Sequence, residues 1–316
     1  MLSSKRKSFG LFFYIVKFKE KIKNITLLFF LFVIASTYNI FIKNDIKVCL
    51  CVIAKNEKLY IREFVKHYQK IGYNNIIIYD NNDEDCENIE EEIKDYIETG
   101  FVKIINFKIN NPNIIPQTYA YKDCYAKYNK LYDWLSFFDV DEFLEINKKY
   151  YQIQDFLKDK IFKRCKNIKI NWLRYSNTNS LYYENKPLQE RIKQCNYSHF
   201  DNKLIKSTIR GNLSLNYWQK MSNPHTSLLN YISCSSSGKK IKYDSPFNNP
   251  PDYTNALLKH YSYKSFEEYC LKLKRGRADT NKYLGEQIFK STYKKLIMEN
   301  QGNLEKLNII HKILKV

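Results

Sequence analysis

The stretch DWLSFFDVDEFLEI, Asp133 to Ile146, decides how this chain is read. Its first half, with Trp134, Leu135, Phe137 and Phe138, has the apolar and aromatic character of a buried strand. Its second half sets Asp139, Asp141, Glu142 and Glu145 within seven residues. Like charges crowded at the end of a buried strand repel each other. They must be solvated or neutralised, and the partner to test is one that is not protein.

Outward from this stretch, strands alternate with helices. IKVCLCVIA (46–54) is a short run rich in branched residues. LYIREFVKHYQKIG follows, with Ile61, Phe64, Val65, Tyr68 and Ile71 at helical spacing and Gly72 as a stop. NNIIIYD reads as a second strand ending at Asp80, acidic CENIEEEIKDYIETG as a solvated helix closed by Gly100, and FVKIINF as a third strand. PQTYAYKDCYAKYNKLY is a helix opened by Pro116, and DWLSFFD is the fourth strand. This βαβαβαβ order predicts an α/β fold: a mostly parallel central sheet with helices on both faces.

Ligands of such sheets bind beyond the carboxyl ends of the strands. Three polar clusters stand there: Lys55, Asn56 and Glu57 after strand one, Tyr79 to Asp83 (YDNND) after strand two, and Asp139 to Asp141 after strand four. Asp139 and Asp141 are two apart, so extended backbone points both to one side. With no glycine-rich phosphate loop in the chain, paired carboxylates suit Mn²⁺ or Mg²⁺ carried in by a diphosphate.

Composition bounds the rest. Of 316 residues, 44% are apolar and 16% aromatic, so the chain folds. The net charge of +19 invites a nucleic-acid reading, but the lysines are spread along the chain and no nucleic-acid-binding motif accompanies them. No nucleic acid partner is expected. Eight cysteines fit a lumenal domain with one or two disulfides without requiring it, and no CxxC pair supports zinc.

Residues 24 to 42 carry no charge and include LLFFLFVIA. As a helix rising about 1.5 Å per residue the stretch would span about 28 Å, close to a bilayer's hydrocarbon thickness. Lys5, Arg6, Lys7, Lys17, Lys19, Lys21 and Lys23 precede it against Glu20 alone, which favours a cytoplasmic N-terminus. The stretch is read as a membrane-anchoring helix, with a cleaved signal peptide and a helix packed in a soluble fold as alternatives. The anchored form is a single-pass type II membrane protein, facing the Golgi or ER lumen if eukaryotic. The sequons at Asn196 and Asn212 would then be open to glycosylation, whereas Asn24 would not.

CVIAKNEKLYIREFVKHYQKIGYNNIIIYDNND, DWLSFFDVDEFLEI, KSTIRGN followed by NPHT, and LKHYSYKSFEEYCLKLKRGRAD resemble, in order, the successive blocks of glycosyltransferase family 92 and its family 2-like relatives. The blocks lie between residues 46 and 280, leaving 1–45 as basic terminus and anchor and 281–316 as a helical extension. The resemblance implies a GT-A fold and a metal-dependent, inverting transfer of a hexose, galactose favoured, from a UDP-sugar donor to a glycan acceptor. It places Asp139 and Asp141 in the metal motif, Asn56 and Glu57 beside the nucleotide, and Asp80 at uracil or ribose. Lys55 and Asn82 fall in the same donor-side loops. It matches His225 to a third metal ligand and His260 to an HY block of packing or acceptor character. Lys206, Arg210, Lys274, Arg275 and Arg277 are candidates for phosphate.

An inverting transfer needs a general base. Glu190 is favoured over Glu184, both in YYENKPLQERI, and an ion pair with Arg191 is the alternative role for Glu190. Trp172, Tyr175, Tyr182 and Tyr183 are candidate sugar platforms, with core packing equally open for Trp172. A membrane-anchored nucleotide-sugar or glycan-binding protein without turnover is the competing class.

Overall fold

The computed structural model describes residues 46–83, 88–109, 111–176, 179–214, 225, 232–241 and 245–314. The charge-free stretch 24–42 lies outside them. Among the described residues no helix is long and apolar enough to cross a membrane.

The parallel half of the sheet follows from the alternation read above. β1 (Val48–Ala54) is buried along its whole length and pairs in parallel with β2 (Asn75–Asp80) on one side and β4 (Trp134–Phe137) on the other. β3 (Val102–Asn106) extends the sheet beyond β2. Successive β1 side chains point to opposite faces. Val48, Leu50 and Val52 join a core with Ile61, Phe64, Val65 and Tyr68 of α1 (Lys58–Lys70). Cys49, Cys51 and Ile53 join a second core with Ala120, Tyr121, Cys124 and Tyr125 of α3 (Pro116–Tyr128). Helices therefore cover both faces, as expected.

The acidic helix is shorter than its sequence suggests. A 3₁₀ turn at Glu91–Ile93 leads into a five-residue α2 (Lys94–Glu98), and neither has a side-chain cap. Three adjacent glutamates, Glu90 to Glu92, give this segment little apolar surface and strong like-charge repulsion.

The other half of the sheet is mixed, which corrects the mostly parallel expectation. β7 (Ile205–Arg210) runs antiparallel to β4, and β6 (Asn167–Ser176) antiparallel to β7. β10 (Ala256–Tyr263) is parallel to β6, and β5 (Glu142–Ile146) antiparallel to β10. The order is β3-β2-β1-β4-β7-β6-β10-β5, with the two-residue strands β8 (Ser233–Cys234) and β9 (Lys240–Ile241) attached to β6. The chain thus leaves the parallel half at β4 and re-enters at the far edge as β5. The acidic turn is the link. α4 (Ile153–Lys158) and α5 (Leu188–Arg191) are short connectors. A disulfide joins Cys165 to Cys234.

α6 (Phe266–Arg275), α7 (Lys282–Glu299) and α8 (Leu304–Leu314) close the chain. Phe266 and Cys270 of α6 pack with Leu296 and with Ile309, Ile310, Ile313 and Leu314 in a third core. Residues 46–316 form one compact unit, so the C-terminal extension is integral to it. It braces α6, whose other face carries cations into the site.

Candidate functional site

The site is built on the turn Asp139-Val140-Asp141. The Glu142 N–H donates to the Asp139 carbonyl (3.0 Å) and the Asp139 N–H to Glu142 Oε2 (2.9 Å), which fixes the turn from within. Asp139 Oδ1 accepts from Gln117 Nε2 (2.5 Å) and the Tyr121 hydroxyl (3.1 Å), both on α3. Asp139 Oδ2 accepts from Lys206 Nζ (2.8 Å), which comes from β7 and has no solvent exposure. Asp141 is buried, its Oδ2 taking a bond from Lys272 Nζ of α6 (2.6 Å) and its Oδ1 lying 3.7 Å from His260 Nε2 on β10. Glu145 pairs with Lys259 across the β5–β10 ladder. Within the protein, lysines of this chain face Asp139, Asp141 and Glu145.

Their electrostatics follow from burial opposed by these cations. Burial alone would raise the Asp141 carboxyl, but Lys272, His260 and Lys264 hold it well below the usual range. Burial pushes Glu142 well above its usual range, with Lys206 opposing and Asp139 and Asp141 adding to the rise. Burial would lower Lys206, and Asp139 with Glu142 more than compensates. The turn thus holds Asp141 toward its charged form and Glu142 toward its neutral form, with the Lys206 ammonium kept charged between Asp139 and Glu142.

The histidines divide. Burial, with Lys272 adding, pushes His260 down to about 3 against the pull of Asp141, so its imidazole is neutral at physiological pH. His225 is also driven down, to about 4, by burial and Lys206. Its Nδ1 lies 2.7 Å from the Ile205 carbonyl oxygen. Both rings border Trp172, with centroid distances of 5.2 Å for His225 and 3.9 Å for His260. His260 thus faces an aspartate of the turn, and His225, which the resemblance matches to a metal ligand, lies on the same Trp172 ring. Trp172 itself is buried.

The other two clusters share the rim because Ala54 and Asp80 pair at the ends of their strands. Asn56 adopts φ 51°, and its N–H donates to Asn82 Oδ1 (2.7 Å). Asn56 Oδ1 and Asn82 Nδ2 are buried and lack partners among the described residues. Asp80 Oδ1 accepts from the Asn82 N–H (3.0 Å), and burial raises its pKa. Glu57 pairs with Arg275, which also donates to the Lys55 carbonyl (2.7 Å) and so ties this loop to α6. Lys55 pairs with Asp83 at 3.2 Å.

Two sequence candidates, Arg210 and Glu184, lie elsewhere. Arg210 pairs in register with Trp134, at the opposite end of β4 from Asp139, and donates to the carbonyls of Cys165 and Phe162. It is a structural cation, because antiparallel β7 puts Lys206 and Arg210 at opposite ends. Glu184 is exposed beside Lys186 (3.3 Å). Arg277, exposed and forked onto Asp279, stays within electrostatic reach of Asp139. Glu190 is exposed on α5, whose Leu188 and Gln189 N–H groups donate to Glu63 of α1. Its neighbour Arg191 pairs with Glu268 rather than with Glu190.

Gln117, Tyr121, Lys264, Glu268 and Lys272 escaped sequence reading. Glu268, Lys272 and Arg275 stand at i, i+4 and i+7, one face of a helix, and that periodicity was the available signal.

Among the described residues no three His, Cys, Asp or Glu side chains converge as a ready-made metal cage. A neutral imidazole facing a buried, ionised carboxylate is nonetheless a donor pair that Mn²⁺ and Mg²⁺ accept, provided that substrate oxygens and water complete the shell. The residues fit an ion brought in with phosphate, not one held by protein alone.

An α/β sheet with paired aspartates at its carboxyl rim and cations facing them defines the candidate site. The glycosyltransferase family 92 model matches residues 44–255, and the chain belongs to that family. Family 92 proteins of Ricinus communis and Arabidopsis thaliana are both 29% identical to it, over 103 and 100 residues. Those matches cover 32% and 31% of this chain but only 17% and 16% of the relatives. Among solved structures, S. aureus TarS 1–349 in complex with UDP is 10% identical over 81% of this chain and 73% of that one, at a TM-score of 0.35. The mannosyltransferase PcManGT from Pyrobaculum calidifontis, in complex with GDP-Man and Mn²⁺, covers 40% and 36% at 10% identity and a TM-score of 0.29. Likenesses this slight carry no argument about ligands.

Proposed function

We propose that this chain is a GT-A type glycosyltransferase that moves a hexose, galactose first among those to test, from a UDP-sugar to a glycan acceptor with inversion. The observation that carries the reading is the pair Asp139 and Asp141 on the strand-end rim, each faced by a lysine from a distant segment. Family membership supports the reaction class.

The partnerless Asn56 Oδ1 and Asn82 Nδ2 leave an acceptor and a donor unsatisfied, each at a cost of about 1–3 kcal/mol. The polar edge of a nucleobase or ribose would recover that cost, which supports the donor-side role of this loop together with Asp80. Asp141 and His260 would hold a divalent ion, which when bound supplies charge to the departing diphosphate. Lys206, gripping Asp139, keeps the turn in place before substrate arrives and adds fixed positive charge. We assign proton removal from the acceptor hydroxyl to Glu190 in preference to Glu184, which Lys186 holds in solvent. Exposed Tyr182 is the platform best placed to meet a sugar face.

We further propose a lumenal or extracytoplasmic location behind a type II anchor. The Cys165–Cys234 disulfide suits an oxidising compartment, and the sequon residues Asn196 and Asn212 are exposed.

The test is a screen of UDP-sugars for hydrolysis and for thermal stabilisation, with Mn²⁺ and with chelator. Stabilisation with turnover supports the transferase. Stabilisation without turnover for any donor and acceptor would leave a binding protein, and no response to any UDP-sugar would remove the reading.

A further inference from the structure

Beside the acidic turn lies a cavity of about 480 Å³ between the loop after β1 and α6. Its walls carry five cations, Lys55, Lys264, Lys272, Lys274 and Arg275, against two acids, Asp83 and Glu268. Both acids are already engaged, Asp83 by Lys55 and Glu268 by Arg191, which reaches it from α5. Arg275 is held by Glu57 and Lys272 by Asp141. Lys272 belongs to both the cavity wall and the acidic turn, so the two form one continuous site with carboxylates on one side and ammoniums on the other.

Lys264 differs from the rest. It follows β10, is only 5% exposed, and makes no hydrogen bond among the described residues. Its ammonium sits 3.7 Å from the centroid of the Tyr60 ring. Tyr60 is held in turn by its hydroxyl, which donates to Glu268 Oε1 (2.6 Å). A cation–π contact partly offsets desolvation but satisfies none of the three N–H donors of an ammonium. Leaving such a group buried without acceptors is unfavourable unless a ligand provides them. Carboxylates of the protein are close enough to act through space, since Glu57 and Asp141 favour its charged form against burial, yet neither bonds to it.

We propose that Lys264 anchors the diphosphate of the donor, its three N–H donors meeting phosphate oxygens while Lys272 and Arg275 flank them. The inference rests on the nucleotide-sugar reading above and assigns within it a residue that contacts neither Asp139 nor Asp141. With the partners Glu57, Asp141 and Arg191 counted, six cations stand against four acids around the cavity, an excess of two positive charges that suits an anionic group rather than a neutral sugar.

The experiment titrates inorganic pyrophosphate, uridine, UMP and UDP, without metal, into the wild-type chain and into Lys264→Met and Lys264→Arg. Lys264→Met should weaken pyrophosphate and UDP by about tenfold to a hundredfold, the worth of one charge-assisted hydrogen-bonding group. UMP should weaken less and uridine not at all, while Lys264→Arg should keep most of the affinity. Should Lys264→Met not fold, the arginine variant and the dependence of wild-type pyrophosphate affinity on salt decide: a salt-insensitive wild type overturns the inference. Equal pyrophosphate binding by wild type and a folded Lys264→Met also overturns it, whatever UDP does. If pyrophosphate binding depends on Lys264 but UDP and UDP-sugars never bind, the anion site stands and the donor reading falls.

Discussion

Replacing Lys206 by methionine removes a fully buried cation that faces two acids, Asp139 at 2.8 Å and Glu142 at 3.6 Å. Breaking a buried pair by deleting one partner costs about 3–5 kcal/mol, because the other charge stays behind uncompensated. Here the lower end applies, since the Asp139 side chain is 32% exposed and keeps its bonds from Gln117 and Tyr121. For a domain of this size 1 kcal/mol moves the melting temperature by about 2–4 °C, so a loss of about 3 kcal/mol lowers it by roughly 6–12 °C. The assay is equilibrium unfolding in urea followed by circular dichroism, with thermal melts in parallel. Adding Asp139→Asn to Lys206→Met should restore at least half of the loss, because the orphaned charge is then gone; the double-mutant cycle reads this coupling directly. A single variant within 2 °C of wild type, or a double variant no better than the single, would refute the buried-pair reasoning and with it the idea that Lys206 sets the turn before substrate binds.

Asp141→Asn should abolish both UDP-sugar turnover and any Mn²⁺-dependent stabilisation by UDP while the chain stays folded; full turnover in that variant would remove Asp141 from the mechanism. His67, whose ring lies 2.9 Å from the Leu144 carbonyl, is pushed down to about 4, chiefly by burial with Lys259 and Lys70 adding. Its folded value lies below its ordinary 6.5, so the unfolded chain takes the proton first: the contribution is complete above pH 6.5 and shrinks as pH falls toward 4. Unfolding free energy should drop by about 2–3 kcal/mol between pH 7 and 4.5 on this account, and His67→Gln should flatten that part of the profile. Arg210→Ala should cost about 1–3 kcal/mol through its lost carbonyl bonds and its packing on Trp134, yet leave donor affinity unchanged; a raised donor KM would return Arg210 to the site. Expressed in a eukaryotic secretory system, the chain should shift on a gel after glycosidase treatment, and Asn196→Gln with Asn212→Gln should erase the shift; protease digestion of the domain in sealed microsomes would place it in the cytosol instead.

Local patterns determined what is short-range about this protein. The branched run 48–54, the helical spacing of Ile61, Phe64, Val65 and Tyr68, and the aromatic strand ending in Asp139 were legible because backbone hydrogen bonding imposes periods of 3.6 and 2 that side-chain burial copies into sequence. The parallel order of β1 to β4 and the shared rim followed from those periods and from the rules of βαβ connection. Tertiary structure alone decided which charges meet. Lys206 lies 67 residues from Asp139 and Lys272 131 residues from Asp141, and nothing in either segment's own pattern names its partner. The antiparallel run β7-β6 carries Lys206 to the rim and Arg210 away from it, although both looked alike in KSTIRGN. His260 reaches Asp141 because β10 pairs beside β5, opposite Glu142. Pairing between distant strands and helices has no local period, so ion pairs, the neutral imidazole and the Lys264 ammonium over the Tyr60 ring exist only once the chain has folded around them.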